Sequence, residues 1–430
     1  MNAQSEEVRQ VVQHLIESGS SYDVEALDRL YHEDLRIIKV DEHDRVTSIG
    51  RAENMDFFRS KRESGAEPLS REAEFVYADA DDRNGYVVVV RRMKMTDRLE
   101  KSIFSIRLVW EEGRWQVIDE TAFVQAVAEE FLNMMHPAIS TEDASYRKRV
   151  SILDTDIAYV DVGGGDPIVF LHGNPTPSYL WRNIIPYLIP FGRCLAPDFV
   201  GMGNSGAAPD GSYRFVDHQR YLDAWFEAMG LKKNIILVVH DWGSALGFSW
   251  AQRHPERIKA IVYMEAIVRP FLSWDEWPEA TRGFFKAQRT PAGEELILQK
   301  NLFIEYLLPL RGISKEAMEV YRRHYRNPGP LRRPMLTWTR ELPIEGQPED
   351  VTQIVDSYSR WLATSPIPKL FIDGDPAGFL IGAQREFCRA WPNQQEITVK
   401  GAHFLQEDSP NEVGEATARF VAKVLAGQVS

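Results

Sequence analysis

Four short apolar runs each stop at a side chain able to take part in a reaction. Residues 168–171 (IVFL) lead into His172-Gly173-Asn174-Pro175. Residues 235–239 (IILVV) lead into His240-Asp241-Trp242, 261–264 (IVYM) into Glu265, and 396–400 (EITVK) into Gly401-Ala402-His403. A carboxylate, a second acid and a histidine can together perform nucleophilic attack and then base-assisted hydrolysis. Asp241 would sit at the tip of a sharp strand-to-helix turn. Slim Val239 and Gly243 flank that tip, and Gly243, Ser244, Ala245 and Gly247 let the following helix pack close to its strand. The positive end of that helix favours an ionised Asp241. A carboxylate attacking saturated carbon leaves an ester, which water can split at the carbonyl. A serine there would leave an ether, which is a dead end. Ser244 lies off the tip and should face the helix.

Such residues need a scaffold that gathers strand ends. From about residue 146 onward, apolar strands alternate with helical stretches, the pattern of a mostly parallel sheet covered on both faces. Reactive groups in such sheets sit at the carboxyl ends of the strands. The first 125 residues read differently. Val8, Val11, Val12, Leu15 and Ile16 fall on one helical face, and further helices are expected over 24–31 and 53–62. Strands then follow, with Asn84-Gly85 and Glu111-Glu112-Gly113 as turn signals. Residues 126–145 read as a linker helix, ended by Pro137, and a connecting stretch.

The bulk numbers bound the partners. The chain has 430 residues and a formal net charge of −13, with 44% hydrophobic and 26% charged residues. An acidic surface argues against nucleic acid or an anionic membrane as partner. Only Cys194 and Cys388 are present, no metal-ligand spacing occurs, and residues 1–10 carry no basic-then-apolar leader pattern. A cytoplasmic protein of two domains, 1–125 and 146–430, is the expectation.

Nucleophile, acid and histidine in that order is the chain order of α/β-hydrolases. The blocks HGNPTPSYLWRNIIP, HDWGSALGFSWAQRHPERI, MEAIVRPFLSWDEWPE and KGAHFLQEDSP resemble the haloalkane dehalogenases, in the subgroup whose acid follows the sixth strand. The Renilla-type luciferases belong to the same lineage. The resemblance covers about residues 146–425. It implies an α/β-hydrolase fold with a helical cap at about 269–347. It also implies Asp241 as nucleophile, His403 as general base and Glu265 as the acid orienting it. Asn174 and Trp242 would bind the departing halide, and their backbone N–H groups would form an oxyanion hole. No cofactor or metal is implied; the partners are a small halogenated alkane, water and halide. Phe303, Leu307 and Leu308 in the cap are candidate pocket walls. Trp338-Thr339-Arg340-Glu341 stands where the family commonly has proline after the aromatic residue. The pattern of 1–125 resembles an NTF2-like (SnoaL-like) α+β cone, a fold that could support a homo-oligomer.

Other readings compete. An epoxide hydrolase would use the same triad with cap tyrosines, for which Tyr306, Tyr321 and Tyr325 are candidates, although Asn174 stands against it. A coelenterazine-type luciferase, or a receptor that keeps its triad, are further alternatives. Asp373 and Asp375 could supply the acid, but their plain reading is a solvated turn. His172 and His240 read as structural, as do Tyr31, His32 and His43. GMGNSG (201–206) mimics a dinucleotide fingerprint, but no helix should start after it.

Overall fold

The structure, a computed structural model, describes residues 3–41, 45–93, 100–126, 137–144, 147–309 and 312–429. It divides into two compact units, built on residues 1–134 and 135–424. The expected linker helix ending at Pro137, and His43, lie outside the described residues.

In the first unit, the helix Ala3–Ser20 buries Val8, Val12, Leu15 and Ile16 against a sheet. Asp23 caps the next helix, Val24–Leu30, by accepting from the Ala26 N–H at 3.0 Å. Tyr31 therefore begins strand β1 (Tyr31–Val40) instead of ending a helix. The helix Arg51–Glu63 follows β2 (Val46–Gly50). Strands β3 (Glu74–Ala80), β4 (Asn84–Met93), β5 (Glu100–Glu111) and β6 (Arg114–Ala126) complete a sheet of order β2-β1-β6-β5-β4-β3. All pairs are antiparallel except β1–β6, which is parallel. The expected β3–β4 hairpin forms, but its turn is Asp81–Arg83, because Ala80 pairs with Gly85. Asp81 Oδ1 accepts from the N–H groups of Arg83 and Asn84, both at 2.8 Å, and so closes the turn. Gly85 answers to packing: a Cβ there would meet Val8 Cγ1 at 2.6 Å. Glu112 and Gly113, both with positive φ, make the tight β5–β6 turn.

In the second unit, eight strands run β14-β13-β12-β11-β9-β10-β8-β7. They are β7 (Lys148–Ile152), β8 (Thr155–Gly163), β9 (Pro167–Leu171), β10 (Arg193–Pro197), β11 (Ile235–Asp241), β12 (Ile258–Ala266), β13 (Lys369–Pro376) and β14 (Gln394–Gly401). From β10 to β14 all pairings are parallel, and β8, antiparallel to both β10 and β7, is the one strand that runs against the rest. Every residue of β11 is buried, as a doubly covered central strand requires. Between β12 and β13 lie short helical segments, among them Glu279–Gln288, Phe303–Leu307, Lys315–Tyr325 and Arg333–Arg340. GMGNSG forms turns after β10, not a helix start; Gly201 and Gly203 have positive φ. Among the described residues, no helix is long and apolar enough to cross a membrane.

Candidate active site

The carboxyl ends of β9, β11, β12 and β14 bring the predicted residues to one place. β11 ends at Asp241, which has φ 50° and ψ −129° and stands immediately before the helix Trp242–Arg253. That conformation is strained for a residue with a Cβ, and close packing enforces it. A Cβ at Gly243 would strike the carbonyl oxygens of Leu171 and His172, and one at Gly173 would strike the Asp241 carboxylate. Ser244 stays off the tip: its Oγ donates to the Asp241 carbonyl at 2.5 Å and accepts from the Ile267 N–H at 2.9 Å.

Glu265 is also strained, with φ 42°. In the β11–β12 ladder His240 pairs with Met264 but Asp241 pairs with Ala266, so Glu265 is the extra residue of a bulge. A bulge re-aims a side chain, and here it turns the carboxylate toward His403. Glu265 Oε2 lies 3.2 Å from His403 Nδ1 and accepts the Phe379 N–H at 2.8 Å. On the opposite edge of the imidazole, Nε2 lies 3.6 Å from Asp241 Oδ2. Asp241 Oδ1 accepts the backbone N–H of Asn174 at 2.6 Å. The two carboxylate oxygens therefore differ: one is held by backbone, the other faces the histidine.

Burial pushes the Asp241 carboxyl above its ordinary range. His403 and the backbone N–H groups of Asn174 and Trp242 pull the other way, while Glu265 adds to the rise. The helix end alone does not set this group's ionisation; desolvation is the largest influence.

These residues border a cavity of about 300 Å³. Asn174, Asp241, Trp242 and His403 line it, and Phe303 and Leu307 form part of its wall as expected. Leu308 does not line it and belongs to the buried core. Tyr306 is exposed, and neither Tyr321 nor Tyr325 is among the lining residues. The Asn174 side chain donates from Nδ2 to the Met335 carbonyl at 3.0 Å. That contact fixes the amide's orientation, since the oxygen could not face a carbonyl. The second Nδ2 hydrogen remains for the cavity. Trp242 stacks on Trp338 at 4.5 Å, and Trp338 stacks on His218 at 4.2 Å.

His172, His240 and His32 are structural. Burial lowers His172 to about 4, and its Nε2 accepts the Phe199 N–H at 2.9 Å. His240 is held well below its ordinary value by burial, with Nε2 2.7 Å from the His403 carbonyl. His32 is buried against Glu111, Nε2 to Oε2 at 3.0 Å. Asp373 corrects the solvated-turn reading: it is buried on β13 and ion-paired with Arg385 and Arg389 at 3.0 and 3.2 Å. Only Asp375 is exposed.

Residues 166–410 match the family model described as alpha/beta hydrolase fold. A haloalkane dehalogenase of Sphingobium indicum is 52% identical over 284 residues, covering 65% of this chain and 96% of that relative. The coelenterazine h 2-monooxygenase of Renilla reniformis is 42% identical over 65% of this chain and 92% of its own length. A solved haloalkane dehalogenase from Bradyrhizobium elkani superposes with a TM-score of 0.62 at 40% identity, covering 65% of this chain and 98% of that one.

The chain belongs to the alpha/beta hydrolase family, as a haloalkane dehalogenase over its C-terminal 65%.

For this dehalogenase, sequence reasoning missed the loop after β13. Gly378 and Phe379 pack against both Glu265 and His403. A Cβ on Gly378 would strike Glu265 Oε2 and approach His403 Cβ to 2.7 Å. Phe379 stacks on Trp277 at 5.4 Å, and both line the cavity. Thr339, in place of the family's proline, also lines the cavity; its hydroxyl lies 3.0 Å from Gln288 Oε1 and 3.3 Å from the Met335 carbonyl.

Proposed function

We propose that Asp241, Glu265 and His403 carry out the hydrolysis of small alkyl halides to alcohol and halide in this chain. The arrangement that carries this reading is the two-sided imidazole, with Asp241 Oδ2 on Nε2 and Glu265 on Nδ1, at the wall of a small cavity. Asp241 Oδ2 attacks the halogen-bearing carbon, and halide leaves with the bonding pair. The indole N–H of Trp242 and the free Nδ2 hydrogen of Asn174 are the donors placed to receive it. His403 Nε2 then takes a proton from water as that water adds to the ester carbonyl. The negative charge develops on Oδ1, which the Asn174 N–H already holds. Collapse releases the alcohol, which takes the proton back from His403, and the regenerated Asp241 carboxyl gives up its own proton to solvent, so that each turnover yields alcohol, halide and a proton.

The experiment is halide release from bromo- and iodoalkanes by wild type and by His403→Phe. The variant should stop after one turnover with an alkyl mass added to the peptide containing Asp241. No halide from wild type across several chain lengths sinks the reading. Epoxide opening loses support, because the cap tyrosines are not in the cavity. Coelenterazine oxidation rests on the Renilla relative, and a light assay tests it; a cavity at the low end of the ~300–1,000 Å³ range for ligand pockets weighs against so bulky a substrate.

The first unit's helices packed with a six-stranded sheet support an NTF2-like cone. We assign it a role in homo-oligomer formation, tested by light scattering on the full chain and on a chain lacking residues 1–130; equal particle stoichiometry would remove that role. Two buried free cysteines support a cytoplasmic location.

A further inference from the structure

The first unit holds a cavity of its own, of about 330 Å³. Strand alternation builds it. Ile37 and Lys39 of β1, Val89, Arg91 and Met93 of β4, Ser102, Phe104 and Ile106 of β5, and Glu120, Ala122 and Val124 of β6 all face it. The helices Ala3–Ser20 and Arg51–Glu63 close it with Ile16, Phe57 and Phe58. Thr47 and Glu53 are exposed lining residues and mark its mouth.

Inside, the apolar wall is broken by a polar pole. Arg91 is 8% exposed. Its Nη2 donates to Ser20 Oγ at 3.0 Å and to the Ser70 carbonyl at 2.5 Å, while its buried Nε has no acceptor among the described residues. Asn54, 6% exposed, has a buried Nδ2 whose neighbour is the Tyr31 hydroxyl, a contact too loose to be a well-formed hydrogen bond. Glu120 sits on an interior strand, in register with Ile37 and Ile106, where an apolar side chain would pack at less cost. Burial pushes its carboxyl up to about 7, and Arg91 is the charge that opposes the rise. A guanidinium N–H with no acceptor among the described residues, a loosely held amide and a half-buried carboxyl, gathered in a mainly apolar hollow that Tyr31, Lys39, Glu100 and Ser102 also line, are what a packing void does not need and a ligand site does.

We propose that this cavity is a second binding site, for an uncharged, mainly apolar molecule that ends in a hydroxyl group. The head must satisfy both kinds of partner. A hydroxyl oxygen accepts from Arg91 Nε or Asn54 Nδ2, and its O–H donates to Glu120. A cationic head meets the Arg91 guanidinium, and an anionic head meets Glu120. The apolar tail lies along Phe57, Phe58, Val89 and Phe104.

Photolabelling of the full chain tests this, using a medium-chain alkanol with a mid-chain diazirine and mapping of the labelled peptides by mass spectrometry. Saturable labelling should appear on peptides that line this cavity, separately from any on the catalytic cavity. Glu120→Leu should raise the half-saturating concentration at those peptides about tenfold, the worth of one hydrogen bond to a charged group. Glu120→Gln keeps an acceptor and should stay close to wild type. Ala122→Trp, which fills the hollow, should abolish the labelling there and leave the catalytic peptides labelled. Wild type alone decides the class: the carboxylate and trimethylammonium analogues of the same probe should label these peptides far less. No saturable labelling, an unchanged half-saturation in Glu120→Leu, or equal labelling by either charged analogue overturns the proposal.

Discussion

Replacing Glu265 by glutamine removes a charge while preserving shape, and so isolates what that charge does. Glu265 Oε2 accepts from both His403 Nδ1 and the Phe379 N–H. A glutamine oxygen can accept both, so the imidazole should keep its place and tautomer. The two steps of the reaction then respond differently. Attack by Asp241 moves no proton through His403. The Glu265 charge also opposes ionisation of Asp241, so its loss does not slow that step. Ester hydrolysis turns His403 into an imidazolium 3.2 Å from this oxygen. At an effective dielectric constant of about 20, unit charges at that distance attract by about 5 kcal/mol. With the proton half transferred in the transition state, about 2–3 kcal/mol is lost, a slowing of roughly 30- to 150-fold. Stopped-flow halide detection should show an initial burst near one equivalent per active site, followed by a steady rate slower by that factor. Mass spectrometry during turnover should find the alkyl ester on Asp241. A steady rate equal to wild type would refute the charge argument. An equal loss of burst and steady rate would mean that Glu265 acts by holding the fold instead.

Three further outcomes follow from the geometry. Burial raises the Asp241 carboxyl, and attack needs its ionised form. The burst rate should therefore fall with decreasing pH at values above the ordinary carboxylate range, with the limb shifted still higher in His403→Phe, which removes a group that lowers it; a limb near pH 4 in both would refute this. Gly378→Ala places a methyl against Glu265 Oε2 and 2.7 Å from His403 Cβ. It should cost about 1–3 kcal/mol of stability by overpacking and reduce kcat more than KM, measured by urea unfolding and halide release. Glu120 is raised from 4.5 to about 7 in the folded chain, so the folded state holds its proton more tightly than the unfolded one. Stability is then lost as pH rises through that window, by up to about 3 kcal/mol. Glu120→Gln should match wild type in Tm near pH 4.5 and exceed it by several degrees at pH 8; a pH-independent difference would refute the assignment.

The residues proposed for catalysis were legible because each lies at the end of a short apolar run, and strand ends in a parallel sheet converge. Asp241 stood out through chemistry as well as position, since the small residues around it have no other reason to cluster. The acid was harder. Asp373 and Glu265 occupy comparable strand ends, and only the bulge that turns Glu265 toward His403, with the arginines that occupy Asp373, separates them. Bulges leave no mark in sequence. Gly378 and Phe379 escaped for a related reason: DGDPAG reads as a turn, and what that turn packs against is a long-range fact. The β3–β4 turn slipped because Asn84-Gly85 is a strong local signal, yet Gly85 is required by its contact with Val8, a partner distant in sequence. Tyr31 and Glu120 lost their meaning in the same way. Each is one polar residue in an alternating strand, and only the folded sheet gathers them.

Strain and burial at Asp241 serve one end. A nucleophile that must displace a leaving group from saturated carbon needs an oxygen with little water around it, and a buried carboxylate has that. The same burial favours the protonated, unreactive form. The fold resolves the conflict by dividing the carboxylate. Oδ1 takes the backbone N–H of Asn174, which helps keep the charge in place without covering the reactive side, and Oδ2 is left toward the cavity and His403. The strained Asp241, pressed between β9 and the following helix, presents one oxygen to backbone and the other toward the cavity and His403. The close approach that forbids a Cβ at Gly173 and Gly243 is therefore part of the chemistry, because any relaxation of the turn would swing Oδ1 away from the N–H that holds it.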